Sequence, residues 1–141
     1  MPPSTRVNGT YSDIQLVLFG MLPVSFGLTT ILPDYMGYGE GRGVLYKTYL
    51  VKKGYQTSVI PLWFKTSQVI EEASNCTSAL GDGAFLLGYS EGGYSSAVVA
   101  MTLFDLGVDI IRLISGAGPF RTASTVIPDF VRSVDNGTFD P

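Results

Sequence analysis

The stretch "LLGYSEGGYSS", residues 86–96, places Ser90 between glycines directly after an apolar run. The apolar run predicts a strand, and the segment "GGYSSAVVAMTLFDLG" that follows predicts a helix ended by Gly107. Strand, sharp turn and helix in this order are the setting in which a G-x-S-x-G serine acts as a nucleophile. The alternative is a plain glycine-rich turn with an incidental serine.

The glycines around Ser90 have a mechanical explanation. At the apex of such a turn the backbone is forced into an unfavourable region, so Gly88 and Gly92 must be nearly free of side chain. Gly93 then lets the start of the helix lie close to the sheet. We expect the backbone N–H of Glu91, at the helix N-terminus, to face the position where an oxyanion forms. The sequence thus predicts Ser90 as nucleophile and Glu91 as a backbone donor.

Elsewhere, short apolar stretches alternate with helical patterns, which predicts an α/β fold with a parallel sheet flanked by helices. Strands are predicted in "LTTILP" (28–33), "GDGAFLLGY" (81–89) and "VDIIRLISGAGPF" (108–120). The glycine-rich stretch "DYMGYGEGRG" (34–43) predicts an irregular loop. We expect a partial domain over 12–128, between an unassigned segment (1–11) and a weakly structured tail (129–141).

An N-terminal helix is predicted from its capping signal. Ser12 and Gln15 have the spacing of a capping box. Apolar residues then continue at helical spacing, which favours a helix over 13–22. Pro23 and Gly27 are expected to close it.

Two further helical stretches precede the Ser90 motif. "VLYKTYLVKKGY" (44–55) is partly helical in pattern and is expected to end at Gly54. A helix is then predicted from about 57 to 74, with Pro61 in its first turn. Its buried side is expected to carry Trp63, Val69 and Ile70.

The composition indicates a globular chain whose main partner is neither nucleic acid nor an anionic membrane. Of the 141 residues, 45% are hydrophobic and 15% are charged, and the net charge of −3 forms no basic patch. The longest apolar runs reach about half the length of a bilayer span, so we expect no transmembrane helix. One cysteine, Cys76, and no histidine provide no zinc site, and we expect neither metal nor cofactor.

The three asparagines, Asn8, Asn75 and Asn136, each open an N-x-T triplet. Such triplets are glycan acceptors in secreted proteins, and they favour a parent protein of the secretory pathway. The alternative is turn chemistry, which explains the two Asn-Gly pairs. The start "MPPSTRVNGT" has no signal-peptide pattern, so the location stays open.

Three stretches together resemble successive landmarks of the α/β-hydrolases: "ILPDYMGYGE" (31–40), "GYSEGGYSS" (88–96) and "ISGAGPF" (114–120). They are most similar to the secreted lipase-like and esterase-like branch, with a likeness to serine-peptidase relatives. The resemblance covers about residues 12 to 120. It implies a loop after the fourth strand, a nucleophile elbow and a loop after the sixth strand.

Residue by residue, the resemblance implies that Ser90 is the nucleophile and that Glu91 gives one oxyanion-hole N–H. It also implies that Asp34, Gly37 and Gly39 form a structural loop. Position 41 is Gly where the family commonly has Ser, and Glu91 stands where Gln is common. The Glu91 carboxylate could add local negative charge, and no catalytic role is expected for it.

The resemblance also implies a catalytic acid, a histidine and a third strand that cannot be assigned in this sequence. In the family the acid and the histidine follow the nucleophile, and this chain has no histidine. The third strand is expected upstream of Met1, although "FG" at 19–20 could be a remnant of its loop. We therefore expect a fragment without its N-terminal strands and its acid and histidine. Its strands at 28–33 and 84–88 would have unpaired edges, which predicts marginal stability.

Two functions of different classes follow. The first is the nucleophile-bearing portion of a serine hydrolase that attacks a small-molecule or lipid ester through an acyl-enzyme at Ser90. An amide bond is the less favoured substrate, and without a histidine we expect no turnover by the chain alone. Tyr89, Tyr94 and Phe120 could line an acyl pocket or belong to the core. The second function is a non-catalytic α/β-hydrolase-like module or truncated gene product.

Overall fold

The structure, a computed structural model, describes residues 16–75, 80–81, 83–121, 124–125 and 127–135. Its elements in chain order are a π-helical turn (Leu16–Met21), α1 (Leu22–Ser25), a 3-10 turn (Gly39–Gly41), α2 (Lys52–Ala73), β1 (Gly83–Tyr89), α3 (Glu91–Asp105), β2 (Asp109–Gly116) and α4 (Ile127–Asp135). The fold is mixed α/β with a small parallel sheet, which confirms the predicted class in this coarse form.

The two strands lie side by side and parallel, and α3 connects them as a β-α-β unit. Pairing runs from Gly83 with Asp109 to Tyr89 with Gly116, and the register shifts after Ala84. The strands predicted on either side of this helix are confirmed, as is their parallel pairing.

Helix α3 packs on one face of the sheet and supplies most of the core. Its residues Val99 and Leu103, with Ala84 of β1, are at most 4% exposed and form the centre of the core. Partly buried side chains from α2, the strands and the α3–β2 turn surround them: Val59, Ile60, Trp63, Leu86, Val108 and Ile110. The core therefore lies where α3 packs on one face of the sheet, and side chains of α2 border it.

The end of α3 has the hydrogen bonds of a Schellman motif. The N–H of Gly107 donates to the carbonyl of Phe104 (2.9 Å), and the N–H of Val108 donates to that of Leu103 (2.9 Å). Gly107 has φ +85°, a conformation that favours glycine. The predicted helix end at Gly107 is confirmed.

Helix α2 is one helix of 22 residues. The helix predicted from about 57 to 74 is confirmed, but the end predicted at Gly54 and the first-turn place of Pro61 are wrong. Gly54 instead lies in the first turn, where a Cβ would overlap the side chain of Thr48. Pro61 lies in the interior of α2, where it removes one helical hydrogen bond.

The buried side predicted for this helix is confirmed only in part. Trp63 packs against the core and Ile70 is half-buried, whereas Val69 is 49% exposed. The fully buried side chain of α2 is Tyr55, in its first turn. The helix therefore makes its deepest contact near its N-terminus.

The strand predicted over 28–33 is wrong. Within the described part of the chain, these residues pair with no strand and are half-buried or exposed. A β-branched stretch becomes a strand only when a neighbour accepts and donates its backbone hydrogen bonds. The sequence pattern favours extended backbone here, but among the described residues no strand lies beside it.

Residues 16–25 are helical, as the pattern over 13–22 predicts, but the helix continues past Pro23 to Ser25. Pro23 lies in the first α-helical turn, directly after the π-helical turn. Gly27, with φ +79°, ends the segment, and its N–H donates to the carbonyl of Val24 (2.9 Å). The predicted stop at Gly27 is confirmed, and that at Pro23 is wrong.

Helix α4 begins at Ile127 and continues into the segment after residue 129, which the sequence predicts to be weakly structured. Asp129 in its first turn and Arg132 in its last turn form an ion pair of 3.2 Å, and both suit the helix dipole. Several sequence predictions fall outside the described residues, namely those on the segment 1–11, Ser12, Gln15, Cys76, Asn8, Asn136 and the end of the tail (136–141).

The face of the sheet away from α3 is exposed. Phe85, Leu87 and Tyr89 alternate along β1 and are 54%, 54% and 68% exposed. Among the residues whose placement is described, β1 pairs with β2 alone, so its other edge is open. In the same ranges no helix has the length and apolarity to cross a bilayer.

Candidate active site at Ser90

Ser90 lies at the carboxyl end of β1, immediately before α3. Its backbone has φ +56° and ψ −120°, a region that residues with a side chain rarely adopt. Such a conformation costs about 1–3 kcal/mol and persists only where the surrounding structure imposes it. The strained backbone that the G-x-S-x-G pattern predicts is thus confirmed.

The Ser90 hydroxyl does not cap α3. Ser90 is the N-cap residue of α3, yet its side chain makes no capping hydrogen bond. Serine at an N-cap normally accepts an N–H of the first turn. Ser90 is also exposed, so the residue is accessible from solvent.

Two of the three neighbouring glycines are required by close backbone approach. A Cβ at Gly88 would overlap the carbonyl of Gly92, and a Cβ at Gly93 would lie 2.5 Å from the carbonyl oxygen of Gly116. These steric predictions are confirmed. The nearest atom to a Cβ at Gly92 is the Tyr35 hydroxyl oxygen at 4.0 Å, so the predicted steric need at Gly92 is wrong.

The end of β2 supports the turn from the side. The N–H of Ser90 donates to the carbonyl of Gly116 (2.8 Å), and the Ser115 hydroxyl donates to the carbonyl of Gly93 (2.8 Å). Ala117, in the next position, also has positive φ, +50°. Two strained residues therefore lie together at the carboxyl edge of the parallel strands, where α/β folds place their sites.

The Glu91 carboxylate is directed into the protein. Glu91 is 9% exposed, and its Oε1 accepts a hydrogen bond from the Tyr55 hydroxyl (2.9 Å). The same hydroxyl accepts the N–H of Leu50 (2.8 Å). The carboxylate therefore has a defined partner, and its charge is held on the side of the core.

Burial raises the pKa of the Tyr55 hydroxyl well above its usual value. The hydrogen bond from Leu50 acts in the opposite direction, and the bond to Glu91 and its charge raise the pKa further. Tyr55 therefore stays protonated and donates to the carboxylate throughout the neutral range. Sequence analysis missed this residue, because a tyrosine in a helix carries no linear signal of a partner 36 residues away.

A row of aromatic rings leads from the core to the surface beside the elbow. The ring centroids of Tyr35 and Tyr55 are 4.9 Å apart, those of Tyr55 and Tyr94 are 5.8 Å apart, and those of Tyr94 and Phe120 are 6.0 Å apart. Of the three residues predicted to line a pocket or to belong to the core, Tyr94 and Phe120 come together. Tyr89 does not join them, since it lies on the exposed face of β1.

The loop around Asp34 packs against α3 through Tyr35. The Tyr35 and Ser95 hydroxyls lie 2.5 Å apart. Gly37 has φ +82°, and a Cβ there would lie 2.7 Å from the backbone nitrogen of Lys47. Gly39 also has positive φ, +54°, and Asp34 is exposed. The loop is thus held by backbone conformation and borders an open cleft of about 320 Å³.

Asn75 is exposed just after α2, with φ +51°. Asparagine is a common residue in this left-handed position at a helix end. The exposure of Asn75 is compatible with glycan attachment, but the left-handed conformation at the helix end also explains why an asparagine stands at this position. The other residues of its triplet lie outside the described ranges.

Comparison with protein-family models, curated proteins and solved structures gave no match to this chain. Among the described residues, no three His, Cys, Asp or Glu side chains are grouped so that they could hold a metal ion.

Proposed function

We propose that this chain is the nucleophile-bearing portion of an α/β-hydrolase-type serine hydrolase that acts on carboxylic esters. One observation carries the proposal: the exposed Ser90 has a strained backbone between a parallel strand and a helix, and its hydroxyl does not cap that helix. A serine of an ordinary turn needs no such strain. A strand-turn-helix with the serine at its apex is the structural context of a nucleophile elbow.

The proposed reaction is acyl transfer through Ser90. The Oγ attacks the ester carbonyl carbon while a base removes its proton, and the carbonyl electron pair moves to oxygen. The first N–H groups of α3 have no helical acceptor, and with the positive end of the helix they stabilise this oxyanion. Collapse of the intermediate breaks the bond to the alcohol oxygen, which takes the proton held by the base. Water, deprotonated by the same base, then attacks the acyl-enzyme, and the acid leaves as Ser90 Oγ regains its proton.

The base must come from outside these 141 residues, because the sequence has no histidine. Without it, only the residual catalysis of an oxyanion hole is expected, about 10³–10⁴ over water. We therefore expect no practical turnover by the chain alone. The aromatic pair Tyr94 and Phe120, one helical turn from Ser90 and on the loop after β2, favours an apolar acyl group.

The test replaces the missing base with imidazole. The chain is incubated with a fluorophosphonate probe, with and without imidazole, and its labelling is compared with that of Ser90→Ala. Ser25→Ala is the matched control, since Ser25 is also exposed but its hydroxyl bonds the carbonyl of Leu22 (2.7 Å). We expect imidazole-dependent labelling that Ser90→Ala abolishes and Ser25→Ala retains. Equal labelling of all three would show that Ser90 is not activated.

A non-catalytic module is the second candidate, and the absence of histidine from the sequence favours it. In that case the elbow is retained as a structural turn, and the apolar face of β1 binds a partner. A folded chain that stays unlabelled in imidazole supports this function over the first.

A further inference from the structure

The elbow is connected to a distant loop by one short series of hydrogen bonds. The N–H of Leu50 donates to the Tyr55 hydroxyl (2.8 Å), and that hydroxyl donates to Oε1 of Glu91 (2.9 Å). The direction is fixed, because Leu50 supplies the proton of the first bond and Tyr55 is left with its own for the second. This Leu50–Tyr55–Glu91 chain joins residues that lie 5 and 36 positions apart.

The middle member has little freedom to move. Tyr55 has no exposed surface, and its ring packs edge-on against Tyr35 (centroids 4.9 Å apart) and Tyr94 (5.8 Å). Its hydroxyl is therefore held at a fixed place beside the start of α3. Leu50 has φ +56°, so the loop that supplies the first donor is itself constrained in an uncommon conformation.

The carboxylate at the other end needs such a partner. Glu91 directly follows Ser90, and a free negative charge there would oppose the oxyanion that the proposed reaction forms. A carboxylate that is taken out of water must accept hydrogen bonds, or its burial is unfavourable. The bond from Tyr55 meets this need and holds the charge toward the core.

We propose that Tyr55 is a positioning residue of the Ser90 elbow and acts through the Glu91 carboxylate. By holding that side chain inward, Tyr55 fixes the orientation of the first residue of α3 and therefore of its backbone N–H. The catalytic consequence rests on the proposed function, whereas the restraint on the backbone does not. Tyr55 touches no reacting atom, and its effect on chemistry is through Glu91 alone.

Two matched tyrosine variants separate positioning from core packing. Tyr55→Phe removes the hydroxyl that bonds Glu91, and Tyr35→Phe removes a hydroxyl of the same aromatic row that lies 2.5 Å from Ser95. The first readout is the rate of imidazole-dependent fluorophosphonate labelling. We expect Tyr55→Phe to slow it about tenfold, less than the loss of a whole oxyanion donor, and Tyr35→Phe to change it less than about threefold.

Glu91 provides the conservative rescue. The amide oxygen of Glu91→Gln can still accept the Tyr55 hydroxyl and removes the charge, so we expect labelling at least as fast as in the parent chain. Glu91→Ala has no acceptor and is expected to label about tenfold more slowly. This pair also tests the proposal if Tyr55→Phe fails to fold. Equal rates in Glu91→Gln and Glu91→Ala would overturn it.

The second readout needs no activity. Amide hydrogen exchange, measured by NMR, reports the opening of the α3 start at Ser90 and Tyr94, whose N–H groups donate to the carbonyls of Gly116 (2.8 Å) and Ser90 (3.2 Å). We expect about tenfold faster exchange there in Tyr55→Phe, with the helix body unchanged, and no such change in Tyr35→Phe. Equal effects of both variants would make Tyr55 an ordinary core residue and overturn the proposal. If the parent chain is never labelled, the proposed function fails while this readout still decides the role of Tyr55.

Discussion

The β1-α3-β2 unit and the segment before α2 (residues 16–51) are both rich in apolar side chains, yet only the first forms a core. In the unit, Val99 and Leu103 are at most 4% exposed. In the segment, Val17, Leu22 and Phe26 are 48%, 48% and 77% exposed. Apolar sequence stabilises a fold only where another element covers it, since the gain follows the area removed from water. The two regions differ in how far neighbouring elements bury their apolar side chains, more than in their composition.

The largest expected effect is on the core itself. Leu103→Ala removes a side chain that is 1% exposed and leaves a cavity under α3, so we expect the free energy of unfolding to fall by about 2–5 kcal/mol. Leu28→Ala, at 39% exposure in the segment before α2, is expected to cost less than about 1 kcal/mol. Urea unfolding of both variants measures the difference. Equal losses would show that the segment is as well packed as the unit.

The elbow provides a second comparison, between Gly88 and Gly92. Gly88→Ala forces a Cβ into the carbonyl of Gly92, and backbone must move to admit it, so we expect a loss of about 1–3 kcal/mol. Gly92→Ala lies in α3 with room for its methyl group and is expected to be neutral or stabilising by up to about 1 kcal/mol. Urea unfolding checks both. Two equally destabilised variants would contradict the geometry of the turn.

The β1-α3-β2 unit could be predicted from sequence because its signals are contiguous. The strand, the glycine at 88 and the stop at Gly107 lie within one stretch, and each acts on its neighbours in the chain. The parallel partner is the next strand along, the pairing that a connecting helix favours. The strained backbone of Ser90 follows from the same local pattern.

The remaining features depend on contacts between distant residues. The stretch 28–33 has the composition of a strand, but whether it becomes one depends on a neighbour that its own residues do not specify. A glycine at position 54 predicts a helix end, but in the structure it makes room for the side chain of Thr48. Tyr55 reaches Glu91 across 36 residues, and no spacing in the sequence marks the pair.

The pH dependence of the free energy of unfolding distinguishes the buried Tyr55 from an exposed tyrosine. Because burial raises the pKa of Tyr55 in the folded state, the unfolded chain loses this proton first, near pH 10, and folding stability then falls as the pH rises. Below pH 10 the tyrosine is protonated in both states and the contribution is constant. Tyr55→Phe should lessen this fall by up to about 1.4 kcal/mol per pH unit.

Urea unfolding at pH 8 and at pH 10.5 measures this effect. Tyr46→Phe is the control, since Tyr46 is 92% exposed and its hydroxyl is already in water. A fall in stability that is the same in Tyr55→Phe and in the parent chain would show that the Tyr55 hydroxyl ionises equally well in both states.

The smallest expected effect concerns two glycines that have the same conformation at a helix end but lie in different regions of the chain. Gly107 (φ +85°) ends α3 and Gly27 (φ +79°) ends α1, and a Cβ at either would meet no atom within 4 Å. Alanine therefore adds the same backbone strain at both, about 1 kcal/mol. If the β1-α3-β2 unit is the part that unfolds cooperatively, Gly107→Ala lowers the global free energy of unfolding by this amount. Gly27→Ala then leaves it unchanged and only speeds local amide exchange around residue 27. Equal global losses would mean that both regions unfold as one body, and that the exposed apolar side chains of the segment contribute to stability in spite of their exposure.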